Sequence, residues 1–320
     1  MEKEQLKRIF KFLEEKEKKS HKTKGTLLWK IVFNEPLTKE DLDIKGDLNL
    51  SMKDITSLPK GLKVGGNLNL EWSNITSLPE GLEVGGDLTL AYTSIRTLPK
   101  SLKVGSLNLM RSEIESLPEG LKVDGVLNLL DTGIKSLPKG LEVGGELYLR
   151  ESKIESLPDD LKVNGKLNLA YCKELTSLPE GLEVGGDLLL FGCGQIKSLP
   201  IGLKVGGDLL LQYTTIKSLP RGLKVNGDLN LLSSNITSLP EGLIVRGNLI
   251  LVDTLMTSLP KGLEVGGNLD LLHSKIKYLS EGLKVGANLY INNRALLKYT
   301  DEELRKMIGS GFIKGEIYRK

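Results

Sequence analysis

The sequence has few of the residues from which catalytic and metal sites are built. It contains two histidines and two cysteines among 320 residues, and only 5% of its residues are aromatic. His21 and His273 have no partners at the spacing of a zinc site or a catalytic triad. The glycine-rich runs lack the flanking residues of phosphate-binding loops. We therefore expect no enzyme, no catalytic residue, no cofactor and no metal site.

Long apolar runs and an excess of one charge are also missing. No apolar run approaches the roughly 20 residues that span a bilayer, and the charged start at Met1–Gln5 is unlike a signal peptide. The net charge of +3 comes with no basic stripe of the kind that nucleic acid requires. The basic segment Lys16–Lys24 could contact nucleic acid or a membrane, but a solvated loop is the preferred interpretation. These features predict a cytoplasmic protein without a membrane span, with secretion by a signal-less route as the open alternative.

What the sequence does contain is a repeat. Leu-Pro pairs recur at steps of 19 to 21 residues from Pro59 to Pro260. A fixed period of this length is typical of a solenoid in which each repeat forms one coil. The apolar positions Leu62, Val64, Leu68 and Leu70 are spaced in steps that fit a period of two, which predicts strand. So short a coil leaves no room for an α-helix, so the connections should be extended or 3₁₀.

Two further columns of small residues recur in every full unit. A glycine stands two residues before the first strand leucine, as at Gly66, which predicts a positive φ or a tight corner. A serine, threonine or cysteine follows the second strand leucine by three residues, as at Ser73, and should face inward and donate to the backbone of a neighbouring coil. Cys172 and Cys193 belong to this column, and we expect buried thiols, with a disulfide between stacked coils as the alternative.

The segment Leu68-x-Leu70-x-x-Ser73-x-Ile75 resembles the LxLxxNxL core of leucine-rich repeats, with a small residue in place of the asparagine. The repeats are similar to the short, roughly 20-residue Leu-Pro type found in bacteria and phages. The resemblance implies a mainly β solenoid of parallel coils, without α-helix on the convex side and with small helical caps at both ends. It also implies a concave strand face that binds partners. A generic parallel β-helix is the alternative, because Gly65 stands where the first leucine of the family is expected.

Three regions follow from the repeat. Residues 1–36 should form an N-terminal cap, with an amphipathic helix over residues 2–18 and a short apolar element at Thr26–Phe33. Residues 37–293 should form a solenoid of about 12–13 units. Residues 294–320 should form a C-terminal cap, whose helix starts with a capping box at Thr300 and Glu303 and which ends in a strand within Phe312–Tyr318.

The position between the two strand leucines is usually asparagine, and its recurrence predicts an exposed amide ladder along the stack. Apolar residues break this column or occupy the position after the second leucine, and they form a candidate protein-binding patch: Tyr148, Leu189, Phe191, Leu210, Leu232, Ile250, Val252 and Leu272. A second candidate set lies one step further along each unit: Trp72, Tyr92, Tyr171 and Tyr213. The alternative is that these are β-forming residues tolerated on a repetitive surface.

These observations favour a non-catalytic scaffold that binds an unknown protein partner on its concave strand face. We expect a monomer, no small-molecule substrate and no nucleic-acid partner. The alternative hypothesis is a structural rod, or a component of a virion or cell surface, that assembles with copies of itself.

Overall fold

The computed structural model describes residues 29–31 and 35–319. The helix expected over residues 2–18 and the basic segment Lys16–Lys24 lie outside the described residues. Of the apolar element Thr26–Phe33, residues 29–31 are described, and they are helical. The first coil follows, with a turn between Thr38 and Asp41 that two hydrogen bonds close.

One continuous parallel sheet of 14 strands runs the length of the stack, and we call it the long sheet. In every repeat its strand begins at the first leucine of the repeat motif. Each pairs with the strand one unit away, as Leu189 of one coil pairs with Leu210 of the next. Its strands are β2 Leu48–Asn49, β4 Leu68–Asn69, β6 Leu88–Thr89, β7 Leu107–Asn108, β9 Leu127–Asn128, β11 Leu147–Tyr148, β13 Leu167–Asn168, β15 Leu188–Leu189, β17 Leu209–Leu210, β19 Leu229–Asn230, β21 Leu249–Ile250, β23 Leu269–Asp270, β25 Leu289–Ile291 and β27 Ile317–Arg319.

A second set of parallel strands precedes the long sheet in each coil, and we call it the short sheet. It is divided into parts of three and ten strands. The break lies in the fourth unit, which is one residue shorter than its neighbours, and there Val104 makes only an isolated bridge to Val123. The strands are β1 Asp43–Ile44, β3 Lys63–Val64, β5 Glu83–Val84, β8 Lys122–Val123, β10 Glu142–Val143, β12 Lys162–Val163, β14 Glu183–Val184, β16 Lys204–Val205, β18 Lys224–Val225, β20 Ile244–Val245, β22 Glu264–Val265, β24 Lys284–Val285 and β26 Phe312–Ile313.

The two sheets meet at the glycine corner. The apolar run from Leu62 to Leu70 is therefore not one strand, because a bend at Gly65 and Gly66 divides it between the sheets. A Cβ on Gly227 would lie 2.1 Å from Asp208 Oδ1 and 2.8 Å from the Gly207 carbonyl carbon of the preceding coil. The tight corner is confirmed, but the positive φ is found elsewhere, at the glycine of Leu-Pro-x-Gly, with 74° at Gly222. That glycine gives the turn after proline a backbone that other residues adopt only with strain.

The core is a column of leucine, valine and isoleucine side chains enclosed by the coils. In the unit of Leu209, the side chains of Leu209, Leu211 and Ile216 are fully buried, and the same positions are buried along the stack. The segments between the two sheets are extended or turns, with no helix in residues 37–293 of the described chain. The chain is a mainly β solenoid with the leucine-rich-repeat arrangement of parallel coils, as expected, with a short second sheet added to each coil.

Two short helices occupy the C-terminal end, α1 (Arg294–Leu297) and α2 (Asp301–Met307). The capping box is present: Thr300 Oγ1 accepts from the Glu303 amide, and the Glu303 carboxylate accepts from the Thr300 amide. After α2, β26 joins the short sheet and β27 joins the long sheet. Residues 294–319 thus complete one more coil, in which helices replace the Leu-Pro segment.

Candidate functional site

The candidate site is the outward side of the long sheet, which we call the strand face. Its shape is set by a turn that closes just after each strand. In the unit of Leu68, Asn69 Oδ1 accepts from the Glu71 amide at 2.9 Å, and Ser73 Oγ donates to the Leu70 carbonyl at 2.6 Å. Between them Trp72 has a left-handed φ of 57°. The repeated asparagine therefore closes a local Asx turn, and the amide ladder predicted for this column is wrong.

The inward column also differs in part from the prediction. Ser73 and the equivalent residues are buried, as expected, but most of the serines and threonines donate to a carbonyl of their own coil. Ser152 instead contacts Cys172 Sγ of the next coil at 3.7 Å, and Ser274 accepts from Asn293 Nδ2. The two cysteines do reach a neighbouring coil: Cys172 Sγ donates to the Leu149 carbonyl at 3.0 Å, and Cys193 Sγ to the Leu169 carbonyl at 2.9 Å. Both are free thiols, and burial raises the pKa of Cys172 to about 11 and that of Cys193 to about 12.

A side-chain ladder does run along the stack, in the column just before the first strand leucine. Asp208 accepts at Oδ1 from the Asp228 amide, and Asp228 accepts in turn from the Asn248 amide, both at 2.7 Å. Asn248 continues the ladder to the Asn268 amide at 2.7 Å. Aspartate and asparagine alternate freely here, because the interaction needs only one acceptor oxygen. The recurrence of these two residues beside the glycine corner was the signal for it in the sequence.

The structure brings seven of the predicted residues together on five successive coils. We call this group the apolar patch; it consists of Leu189, Phe191, Leu210, Leu232, Ile250, Val252 and Leu272. All seven are half-buried. The register places Leu189 beside Leu210, while Asn230 separates Leu210 from Ile250. The patch is therefore interrupted in both of its columns: by Asn230 in the inner column, between the two strand leucines, and by Gln212 in the outer column, after the second leucine.

Tyr148 lies apart from the apolar patch, because Asn168 occupies the coil between Tyr148 and Leu189. Its hydroxyl donates to the Glu146 carboxylate, and this bond together with burial raises the pKa of Tyr148 to about 12. The side chain is thus committed to a contact within its own coil.

The residues of the second predicted set all occupy the position with a left-handed φ in the turn after the strand. Trp72 and Tyr92 stack with ring centroids 3.9 Å apart, and Arg111 lies 5.8 Å from the Tyr92 centroid. Tyr171 makes an edge contact with Phe191, with centroids 5.2 Å apart, and so borders the apolar patch. Tyr213 is 60% exposed and lies next to the patch, three residues after Leu210. The set therefore splits into a separate pair at the N-terminal end and two residues beside the patch.

One polar side chain interrupts the outer column of the patch. Gln212 lies between the coils of Phe191 and Leu232, and its Oε1 is buried without a hydrogen-bond partner among the described residues. A buried acceptor without a donor costs free energy on folding. Sequence reasoning passed over this residue, because an exposed strand glutamine is unremarkable until its surroundings are known.

The short sheet bears a surface feature of its own. An open groove of about 650 Å³ is lined by Asp160, Glu183, Lys204, Lys224 and Asn226, among others. Glu183 and Lys204 form an ion pair across adjacent coils there, as Lys122 and Glu142 do at 3.1 Å further along. Three acidic side chains, Asp159, Asp160 and Glu183, and three basic ones, Lys162, Lys204 and Lys224, line the groove, so it presents no excess of one charge.

No group of three or more His, Cys, Asp or Glu side chains in residues 35–319 is arranged to hold a metal ion. Within the same part of the chain, every helix is too short or too polar to cross a bilayer.

No family model matches the sequence, and no curated protein matches it. Among solved structures, a leucine-rich-repeat protein of Leptospira interrogans is 19% identical, with a TM-score of 0.37, over 82% of this chain and 76% of that one. YopM from Yersinia enterocolitica is 16% identical, with a TM-score of 0.22, over 89% of this chain and 82% of its own. The chain itself is a solenoid of parallel coils of about 20 residues, and its strands carry the leucine spacing that resembles leucine-rich repeats.

Proposed function

We propose that this chain is a non-catalytic scaffold that binds a protein partner on the strand face through the apolar patch. The observation that carries the proposal is the clustering of seven half-buried apolar side chains on five successive coils, on a face where asparagine is otherwise the rule. Contiguous apolar surface of this kind marks interaction sites on soluble domains. The parallel coils hold the side chains in fixed register, so that little conformational entropy is lost on binding.

The test compares two charge-introducing variants of the full chain. Leu210→Asp/Ile250→Asp alters the patch, whereas Ile201→Asp/Ile244→Asp alters two exposed isoleucines on other faces, 75% and 48% exposed. Partners captured by crosslinking and identified by mass spectrometry should be lost with the first variant and kept with the second. A partner that binds both variants and wild type equally would contradict the proposed site.

A self-assembling rod is the second candidate, and one observation favours it. Strands β26 and β27 are the last of their sheets, and each leaves one edge without a strand partner among the described residues. Phe312 and Tyr318 at this edge are 41% and 44% exposed. An unpaired edge can accept another strand. Light scattering after size exclusion separates the candidates: the rod predicts oligomers that grow with concentration, and the scaffold predicts a monomer.

A further inference from the structure

The charged residues on the strands of the apolar patch are all acidic. Each strand of the patch belongs to a six-residue segment. The segment starts at the residue just before the first strand leucine and ends at the residue with the left-handed φ. The five segments are 187–192, 208–213, 228–233, 248–253 and 268–273, and they contain five aspartates and no lysine or arginine. This imbalance occurs in a chain with a net charge of +3. The acidity therefore belongs to this face and is not a property of the whole chain.

The four preceding coils show that the imbalance is not a requirement of the fold. Their corresponding segments, 106–111, 126–131, 146–151 and 166–171, carry three acidic and three basic residues. These charges are largely paired, with Arg111 2.9 Å from Asp131 and Arg150 2.9 Å from Glu151. The first three coils are acidic as well, but they lack the aliphatic side chains of the patch. Only the five patch coils combine an apolar surface with unbalanced negative charge.

The aspartates of the patch are mostly without cationic partners in the described chain. Lys166 lies 3.3 Å from Asp187, and the ion pairs within residues 35–319 include none for Asp208, Asp228, Asp253 or Asp270. In the corner ladder Asp208 and Asp228 each accept from a backbone amide with Oδ1, and the side-chain oxygen of Asn248 accepts in the same way. Asp228 Oδ2 also accepts from Asn248 Nδ2 at 3.1 Å. Asp270 closes its Asx turn just as Asn230 does. The bonds to the backbone amides, in the ladder and in the Asx turn, therefore do not require a negative charge.

We infer that the partner presents a cationic apolar segment, in which lysine or arginine alternates with aliphatic or aromatic residues, and that Asp208, Asp228 and Asp270 select it. This inference rests on the proposed function of the apolar patch. The patch spans about 19 Å across five coils, which matches an extended segment of about six residues. Lysine or arginine side chains of the segment lie beside these aspartates and offset their negative charge, while its apolar side chains cover the leucines of the patch.

The probe is a phage-displayed library of random 12-residue peptides, selected on the immobilised full chain and counted by sequencing. Enriched peptides should combine Lys or Arg with Leu, Ile, Phe or Trp. Asp208→Asn/Asp228→Asn/Asp270→Asn should lower the affinity of an enriched peptide by about tenfold and flatten its salt dependence. The matched control is Asp47→Asn/Asp87→Asn, which makes the same change in the same ladder outside the patch.

The outcomes separate the inference from the function on which it rests. Enrichment of acidic or uncharged peptides, or equal affinity for the triple variant, overturns the cationic partner. If peptides are lost with Leu210→Asp/Ile250→Asp but not with the triple asparagine variant, the site stands and its charge selectivity is refuted. If wild type enriches nothing beyond what Leu210→Asp/Ile250→Asp enriches, both the patch and the inference fall.

Discussion

Trp72 and Tyr92 stack face to face on adjacent coils, with an interplanar angle of 8°. Both have a left-handed φ, 57° and 56°, which costs each residue some backbone strain. The parallel coils place equivalent residues about 4.8 Å apart, close enough for two aromatic rings to stack. Because the same turn recurs in each coil, residues 20 positions apart in the sequence come into contact.

A double-mutant cycle should measure that contact. Trp72→Ala and Tyr92→Ala each change the strained turn as well as the ring, but the cycle cancels the effects on the separate turns. We expect a coupling of about 0.5–1.5 kcal/mol in the free energy of unfolding, from urea titrations followed by circular dichroism. Trp72 with Tyr213 is the control pair, and it should show no coupling because the two residues lie on distant coils. An additive Trp72–Tyr92 pair would show that the stacking adds nothing to stability.

The glycine corner should tolerate a methyl group poorly. Gly227→Ala would place a Cβ 2.1 Å from Asp208 Oδ1, so backbone or ladder must move, at a cost of about 1–3 kcal/mol in the free energy of unfolding. Gly133→Ala is the matched control, because no atom lies within 4 Å of its Cβ. Ala287 occupies the corner position only near the end of the stack, where the next coil is irregular. Equal urea midpoints for the two variants would show that the corner is not sterically limited.

Gln212→Leu should stabilise the protein. The substitution removes a buried acceptor that has no partner and extends the apolar column between Phe191 and Leu232. We expect a gain of about 1–2 kcal/mol in the free energy of unfolding, measured by urea titration. Gln195→Leu provides the comparison, since Gln195 is exposed and its replacement should leave stability unchanged. A loss of stability in Gln212→Leu would mean that the amide makes a favourable interaction in solution.

The two thiols should be unreactive in the folded protein. Because burial raises the pKa of Cys172 to about 11 and that of Cys193 to about 12, little thiolate forms at pH 8, and the sulfur atoms are also out of reach. Mass spectrometry after iodoacetamide treatment should find no alkylation of the native chain and two adducts in denaturant. An introduced thiol in Ser198→Cys, at an exposed position, should react in the native state and confirm the reagent. Rapid native labelling of Cys172 would indicate that its coil opens.

The same pKa shifts predict a loss of stability at alkaline pH. The thiols ionise near pH 9 when unfolded and only at about 11 and 12 when folded. Above pH 9 the unfolded state therefore binds fewer protons than the native state, and the free energy of unfolding falls as pH rises toward the folded pKa values. Cys172→Ser/Cys193→Ser should fall less steeply between pH 9 and 11. Identical slopes for the two proteins would refute this assignment.

Much of the fold follows from the spacing of a few residue types. The Leu-Pro period fixed the coil length, and the alternation around Leu68 and Leu70 identified the long sheet. The capping box at Thr300 and Glu303 could be read directly, because its interactions lie within four residues. In each of these cases the pattern and its structural cause lie within one repeat.

The features that escaped prediction depend on geometry between coils or on turn conformation. Leu62 to Leu70 fits one strand as well as two strands joined at a corner, since a period of two is the same on both sides of Gly66. The asparagine at position 69 suggested a ladder, but its amide reaches the backbone two residues on before it reaches the next coil. The aspartates of the patch coils are visible in the sequence, but their position beside the leucines follows only from the pairing of the strands in the sheet.

The strict pairing of each strand with the strand one unit away has a consequence for how such a chain can change. Removing or duplicating one whole repeat, about 60 nucleotides of coding sequence, preserves the reading frame and gives every remaining coil a neighbour of the same kind. Unequal recombination within the coding region can thus lengthen the solenoid, or bring new outward residues beside the apolar patch. Each product would still fold in the same way, because every coil keeps a neighbour of the same kind. Variation in repeat number among natural copies is the expected trace of that process.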